Sequence, residues 1–177
     1  MSLIKQFRLG FVLIAPLAIV ACASISVEKP SSLMFGASEA DIARDLEPKC
    51  TELNVKQIQP PQIPGVERHT QIDCFGFEYF GSPRLAEFVF AEDRLILTWI
   101  LVDEADLPGL ESAFVDQFGE PSIRHATISG FADSNAAVRK DIPEALYYSD
   151  DVAAVVEGRM LDLEQCQTRE IQIVELN

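Results

Sequence analysis

Chemistry that leaves a sequence signature is scarce in this chain. Its two histidines, His69 and His125, each stand alone, and its four cysteines include no C-x-x-C pair. Protein zinc sites are built from clustered Cys and His ligands. No metal is therefore expected, and each histidine reads as a surface or loop residue. There is no G-x-S-x-G turn, no H-E-x-x-H helix and no phosphate-cradling glycine loop. The usual serine-hydrolase, zinc-protease and nucleotide-binding patterns are missing with them, and no cofactor is expected. Positive charge is short as well: 14 Lys and Arg face 28 Asp and Glu, a net charge of −14. Nucleic-acid binding through phosphate neutralisation needs clustered Lys and Arg, and so does adhesion to anionic lipid. Neither fits. The acidic balance suits a solvated surface or a basic partner.

The first apolar stretch, Leu9 to Val20, is broken by Gly10 and Pro16. It falls short of the roughly 20 apolar residues that cross a bilayer as a helix. Lys5 and Arg8 precede it and small residues follow it, the order of a secretory signal peptide spanning residues 1–21. Two processing sites compete. Ala21-Cys22-Ala23 fits small-x-small cleavage and a soluble periplasmic or secreted protein starting at Ser24. Ile19-Val20-Ala21-Cys22 resembles the lipobox of bacterial lipoproteins, whose cysteine is lipidated and becomes the first residue. A cysteine inside a signal peptide is unusual unless it is used, so lipidation at Cys22 is the preferred reading. Each buried acyl methylene contributes about 0.8 kcal/mol, so several chains anchor firmly. In the enterobacterial sorting pattern, Ala23 after the cysteine implies the outer membrane, with the protein facing the periplasm.

About 155 residues follow Cys22, enough for one sizeable domain. Without Lys5 and Arg8 the mature charge is about −16. An exported compartment permits disulfides. Cys50, Cys74 and Cys166 allow one internal bridge and leave an odd thiol. Cys50–Cys74 is the expected pair, because both fall on neighbouring predicted strands.

Residues 22–33 read as a lipidated tether and 34–177 as the domain. Ser38 caps a short predicted helix over 38–46, with Asp41 three residues on and Pro48 ending it. TELNVKQIQ, 51–59, reads as a strand. The segment 59–69 holds Pro60, Pro61 and Pro64, which bars it from a sheet interior. It reads as a hairpin connection, with the three prolines as the candidate partner-binding residues. QIDCFGFEYFG alternates, placing Phe75, Phe77 and Tyr79 on one strand face; that face reads as core. Phe88–Phe90, a polar turn 91–94 and the apolar run Leu95–Val102 predict a hairpin ending in a central strand that buries Trp99. Leu110, Phe114, Val115 and Phe118 make a helix face stopped by Gly119 and Pro121. Asp103, Glu104 and Asp106 precede that helix and suit its dipole. SIRHATISGF reads as a strand and FADSNAAVRKDIPE as irregular. Asp133-Ser134-Asn135 lacks the glycine and distal glutamate of a calcium loop. ALYYSDDVAAVVEG reads as a hairpin about Ser149-Asp150-Asp151, and EQCQTREIQIVELN as a final strand or flexible end.

The order of elements repeats weakly between halves 34–102 and 103–177. FGASEADIARDL followed by Pro48 resembles the opening of small envelope lipoproteins of the SmpA/OmlA type, and the plan is similar to the repeats of beta-lactamase inhibitor proteins. FGEP, 118–121, resembles the same helix ending; Glu47 stands where that family usually has glycine. The resemblance implies a two-layer α+β fold, short helices packed on an antiparallel sheet, and a role in envelope assembly or in binding another protein. It carries no functional residue over. The expected function is thus a lipid-anchored, non-catalytic binding or adaptor protein of the bacterial envelope, with an envelope protein as partner. A periplasmic carrier of an apolar ligand, seated between the aromatic sheet face and a helix, is the alternative. A small periplasmic enzyme is a third.

Overall fold

The computed structural model describes residues 27–175, with side chains described as far as Asp162. Three α-helices pack against a single eight-stranded antiparallel sheet, the α+β architecture expected. Helix α1, Glu39–Leu46, begins where the sequence says it should. Ser38 accepts a hydrogen bond from the Asp41 N–H and its hydroxyl donates back to the Asp41 carboxylate at 2.8 Å. Ile42 and Leu46, one turn apart, are fully buried.

Four antiparallel strands follow: β1 (Glu52–Gln57), β2 (His69–Tyr79), β3 (Ser82–Ala91) and β4 (Arg94–Leu101). Segment 58–68 joins β1 to β2, so the proline-rich stretch is a hairpin connection. The alternation of β2 breaks at Gly76, where φ is +80° and the register with β3 slips between Phe75 and Phe77. A Cβ at Gly76 would sit 2.8 Å from the Thr51 side chain, so both the backbone angle and the space require glycine. The bulge corrects the sequence reading: Phe77 and Tyr79 are buried, whereas Phe75 is 37% exposed on the opposite face.

Helix α2, Leu107–Phe118, buries Leu110 and Phe114 and ends at Gly119 with φ +82°. Asp103 and Asp106 ahead of it both pair with the buried guanidinium of Arg84 on β3. They are thus engaged in tying the helix start to the sheet. The second set of strands is β5 (Ile123–Arg124), β6 (Ile128–Phe131), β7 (Ala136–Arg139) and β8 (Glu144–Tyr148). SIRHATISGF is therefore two strands about a turn at 125–127, not one. The stretch read as irregular contains β7, whose Ala136, Ala137 and Val138 are fully buried; its polar flanks masked a three-residue apolar core.

The expected hairpin at Asp150-Asp151 is a helix instead. The chain leaves β8 at Tyr148 and enters α3, Asp150–Glu175, which also takes up the tail expected as strand or flexible end. Asp150 and Asp151 occupy the first turn, where the helix dipole favours acids. Val152, Val156 and Met160, four residues apart, fall on one helical face and pack on Ile123, Ile128 and Leu146. That packing outweighs the strand preference of the valines.

The strand order is β1-β2-β3-β4-β8-β7-β6-β5. Each half is thus a helix followed by four strands, and the halves meet where β4 pairs with β8. One sheet face, with Phe77, Phe88, Phe90 and Tyr147, is covered by α1 and α2. The aromatic face is core, as expected, apart from Phe75. Val27 and Leu33 are also buried in this core, and the Tyr147 hydroxyl donates to the Val27 carbonyl at 2.6 Å. Residues 27–33, read as tether, therefore belong to the domain. The opposite face carries α3 over β4, β5 and β6.

Cys50 and Cys74 form a disulfide with Cα atoms 5.4 Å apart. It closes a loop with a sequence separation of 24, which the loop-entropy relation rates at about 3 kcal/mol. Replacing both cysteines by serine is expected to lower unfolding stability by that order. Denaturant melts of the two proteins measure it, and superimposable curves would show that the bridge contributes nothing.

Candidate functional site

The sheet face left partly open by α3 holds a cleft of about 690 Å³, within the 300–1,000 Å³ range of small-molecule sites. Strand register fixes its layout. In one cross-strand row Glu87 of β3, Trp99 of β4 and Leu146 of β8 lie side by side. In the next, Val89 neighbours Leu97. Toward one end of the strands, Ile128, Arg139 and Glu144 share a row, and the 125–127 turn brings His125 and Thr127 there. Arg159 and Met160 of α3 also line the cleft. At the other end the 58–68 connection contributes Gln62 and Ile63, beside His69 at the start of β2.

Arg139 is the most constrained group. Its guanidinium binds Asp141 through two nitrogens at 2.8 and 3.2 Å, binds Glu144 at 3.2 Å, and lies 5.9 Å from the Trp99 ring centre. Glu144 is 5% exposed. Burial pushes its carboxyl up to about 7, against the pull of Arg139. Nearby, Asp73 pairs with Lys56 and accepts from the Gln71 amide at 2.7 Å. Burial and then the Asp73 charge raise the Glu87 carboxyl above its ordinary value.

The two histidines, expected on the surface or in loops, both line this cleft. His69 lies on β2 and is 5% exposed; its Nδ1 accepts from the Gln62 N–H at 3.2 Å, and burial holds the imidazole below its ordinary range. His125 lies in a turn and is half-buried. Its Nδ1 accepts the Thr127 N–H at 3.2 Å and lies 2.8 Å from the Thr127 hydroxyl. A neutral ring that accepts at Nδ1 carries its proton on Nε2. That Nε2 is buried and has no partner among the described residues. Arg159 is exposed and has no carboxylate partner among the described side chains.

Of the other candidates, Pro60 and Pro64 are exposed and Pro61 half-buried, all on the connection that borders the cleft. Cys22 and the signal segment lie outside the described residues, as does the Cys166 side chain. Asp133–Ser134 belong to a short 3-10 turn and Asn135 binds Asp150. Among the described residues no group of three His, Cys, Asp or Glu is placed to hold a metal, and no helix is long and apolar enough to cross a membrane. Sequence reasoning missed Arg139, which fell in a segment read as irregular, and Arg159, which lies just past the segment read as a hairpin. It placed Trp99 in a closed core, whereas Trp99 is half-buried and walls the cleft. No protein-family model matches the chain, and no curated protein or solved structure shows significant similarity to it.

Glu144 generates a pH test. Its carboxyl binds a proton more tightly in the folded protein, near 7, than at the ordinary value of 4.5. Its contribution is therefore full below about pH 4.5 and is lost as pH rises toward 7, a swing of roughly 3 kcal/mol. The variant Glu144→Gln lacks this swing. Relative to wild type it should gain stability by that order between pH 4 and pH 8, read from denaturant melts at both values. A stability difference that is the same at both would contradict the assignment.

Proposed function

We propose that this chain is a non-catalytic binding protein of the bacterial cell envelope, tethered by lipid at Cys22 to the outer membrane and facing the periplasm. The cleft between the sheet and α3 carries the binding half of this reading: a rigid floor across the β4–β8 junction, apolar walls, and polar groups fixed by their own ion pairs. The basic, apolar and small-residue order of residues 1–23, together with Cys22, supports the tether. The Cys50–Cys74 bridge suits an oxidising compartment. The helices-on-sheet architecture agrees with what the resemblance to SmpA/OmlA-type lipoproteins implies. An adaptor of this kind would meet an envelope protein along the exposed outer edge of β1, or at Pro60, Pro61 and Pro64 on the connection that borders the cleft.

A carrier of an apolar ligand is the second reading, and the same cleft favours it. The enzyme reading is weaker. The Thr127 hydroxyl and His125 imidazole are within hydrogen-bond distance, but a catalytic imidazole is oriented by a third group on its other nitrogen. Here that nitrogen is unpartnered among the described residues.

The full chain, expressed with its own leader in a Gram-negative host, tests both halves. Intact mass should equal Cys22–Asn177 plus a diacylglyceryl and an acyl group; a mass equal to Ser24–Asn177 would refute the tether. A photo-reactive residue replacing Ile63 in the cleft should yield a discrete adduct in cells. One replacing Glu47, exposed at the end of α1 on the covered side of the sheet, should not. Equal labelling from both positions, or none from either, would refute the cleft as the binding site.

A further inference from the structure

The sheet ends in two very different edges. At one end β5 is two residues long and its Ile123 packs under α3. At the other, β1 offers six residues with no strand beyond it among the described residues, all of them exposed except half-buried Leu53. Register shows which of its backbone groups are free. The Ile58 N–H donates to the His69 carbonyl at 2.9 Å, one step past the Gln57–Thr70 pair. On the far side of β2 the Glu92 N–H donates to the Arg68 carbonyl at 3.0 Å, one step past His69–Ala91. Hydrogen-bonded pairs alternate along an antiparallel ladder, and both bonds give the same phase. The backbone groups of Glu52, Asn54 and Lys56 face β2, so those of Leu53, Val55 and Gln57 turn outward.

The side chains divide by the same alternation. Leu53 and Val55 lie on the helix-covered face, opposite the buried Cys74 and Ile72. Val55 is nonetheless 54% exposed, an apolar side chain at the rim of the core. Glu52, Asn54 and Lys56 lie on the other face. Lys56 pairs with Asp73, whereas Glu52 has no ion-pair partner among the described residues.

Charges on an edge strand commonly guard it against pairing. Their spacing in β1 does the reverse for one partner, an antiparallel copy of the same strand. With Asn54 opposite the copy's Asn54, each Leu53 stands opposite a Val55 in a hydrogen-bonded pair that uses the outward groups. Each Glu52 then stands opposite a Lys56 in a non-hydrogen-bonded pair, where side chains lie closest. Centring the pairing on Lys56 sets like charges opposite each other, and centring it on Val55 sets Glu52 opposite Ile58. Lys56 has three donors, so it keeps Asp73 while meeting Glu52. The net charge of −14 opposes association of two copies. Screening over about 8 Å at physiological salt weakens that long-range repulsion far more than pairs in contact.

We infer that the β1 edge is a self-association surface, occupied by the β1 of a second copy paired antiparallel about Asn54. The two sheets become one across a two-fold axis. That axis stands normal to the sheet, so both helix-covered faces, with both Val27 segments, lie on one side. Two chains tethered to one membrane can adopt this arrangement. Both clefts open on the other side, and Pro60, Pro61 and Pro64 are left for an envelope partner.

An edge-to-edge contact buries less than the roughly 1,200–2,000 Å² of stable interfaces, so the expected Kd is about 10 μM to 1 mM. Sedimentation equilibrium of residues 22–177 with Cys22→Ser, in about 0.15 M salt and up to about 1 mM protein, reads it. Glu52→Lys turns both opposite-charge pairs into like-charge pairs and should weaken the dimer about tenfold, even though it lowers the net negative charge. Asp116→Lys makes the same charge change at an exposed site on α2 and should not weaken it. Val55→Pro removes an outward N–H that the β1–β2 ladder does not use and should weaken it about tenfold or more. In a Cys166→Ser background, Asn54→Cys should oxidise to a disulfide-linked dimer, because non-hydrogen-bonded partners lie about 4.5 Å apart at Cα. Val55→Cys should not. A monomer at every concentration would overturn the inference and leave the edge to a foreign strand. A dimer weakened by neither Glu52→Lys nor Val55→Pro would overturn β1 as its interface. Crosslinking from Val55→Cys instead of Asn54→Cys, or from neither, would overturn the pairing about Asn54. The Ile63 crosslink is a separate readout, so binding in the cleft and pairing at the edge fail independently.

Discussion

The pairing of β4 with β8 is the constraint on which the rest of the molecule depends. Leu97–Leu101 run antiparallel to Glu144–Tyr148 and fuse two four-strand meanders into one sheet. β8 is buried along its whole length, and β4 is buried on its helix-covered face and half-buried on the other. On one face Tyr147 reaches Phe114, Tyr79 and the Val27 carbonyl, gathering α2, β2 and the incoming chain into a single core. On the other, Trp99 and Leu146 form a floor to which neither half contributes alone. Two units, each with one helix and a four-strand sheet, would bury little surface by themselves. Joined at this seam, they share one continuous core on the helix-covered side.

Asymmetry enters through α3. Among the described residues the first half has no equivalent of it, and the outer face of β1–β3 carries no helix. The sequence accommodates this with charge: Lys56, Asp73, Gln71 and Glu87 stand where apolar residues would otherwise need cover. The second half carries Ile123, Ile128 and Leu146 there and buries them under Val156 and Met160. The cleft lies on the boundary between the two regimes, which is why its walls are apolar and its rim is ionised. Arg139 stands on that boundary, stacking on Trp99 while its nitrogens satisfy Asp141 and the buried Glu144.

What could be read from the sequence follows locality. Helix α1 was legible because Ser38, Asp41, Ile42 and Leu46 act within two turns. The β2–β4 meander and the Cys50–Cys74 bridge were legible because alternation and a polar turn specify them within neighbouring segments. Helix α3 was not, because Val152 and Val156 look like strand residues until Met160 is placed on the same face, and the surface they pack on comes from β5, β6 and β8. β7 was hidden because its three apolar residues have meaning only between buried neighbours. The site was the least legible. His69, Glu87, Trp99, His125, Arg139 and Arg159 span some 90 residues of sequence, and only the long-range β4–β8 register brings them around one cleft. No local pattern could have assembled them; the one hint was a tryptophan in a strand whose neighbours were otherwise aliphatic.

The measurement that tests this account most directly is native-state amide hydrogen exchange across the β4–β8 seam. If the seam unites the two halves, the paired amides of Leu97–Leu101 and Ala145–Tyr148 should be the slowest in the protein and should exchange with one common opening free energy, equal to that of global unfolding. If instead β5–β8 opens as a unit while β1–β4 stays protected, the halves are independent. In that case the floor of the cleft is not a fixed surface, and the account is wrong at its foundation.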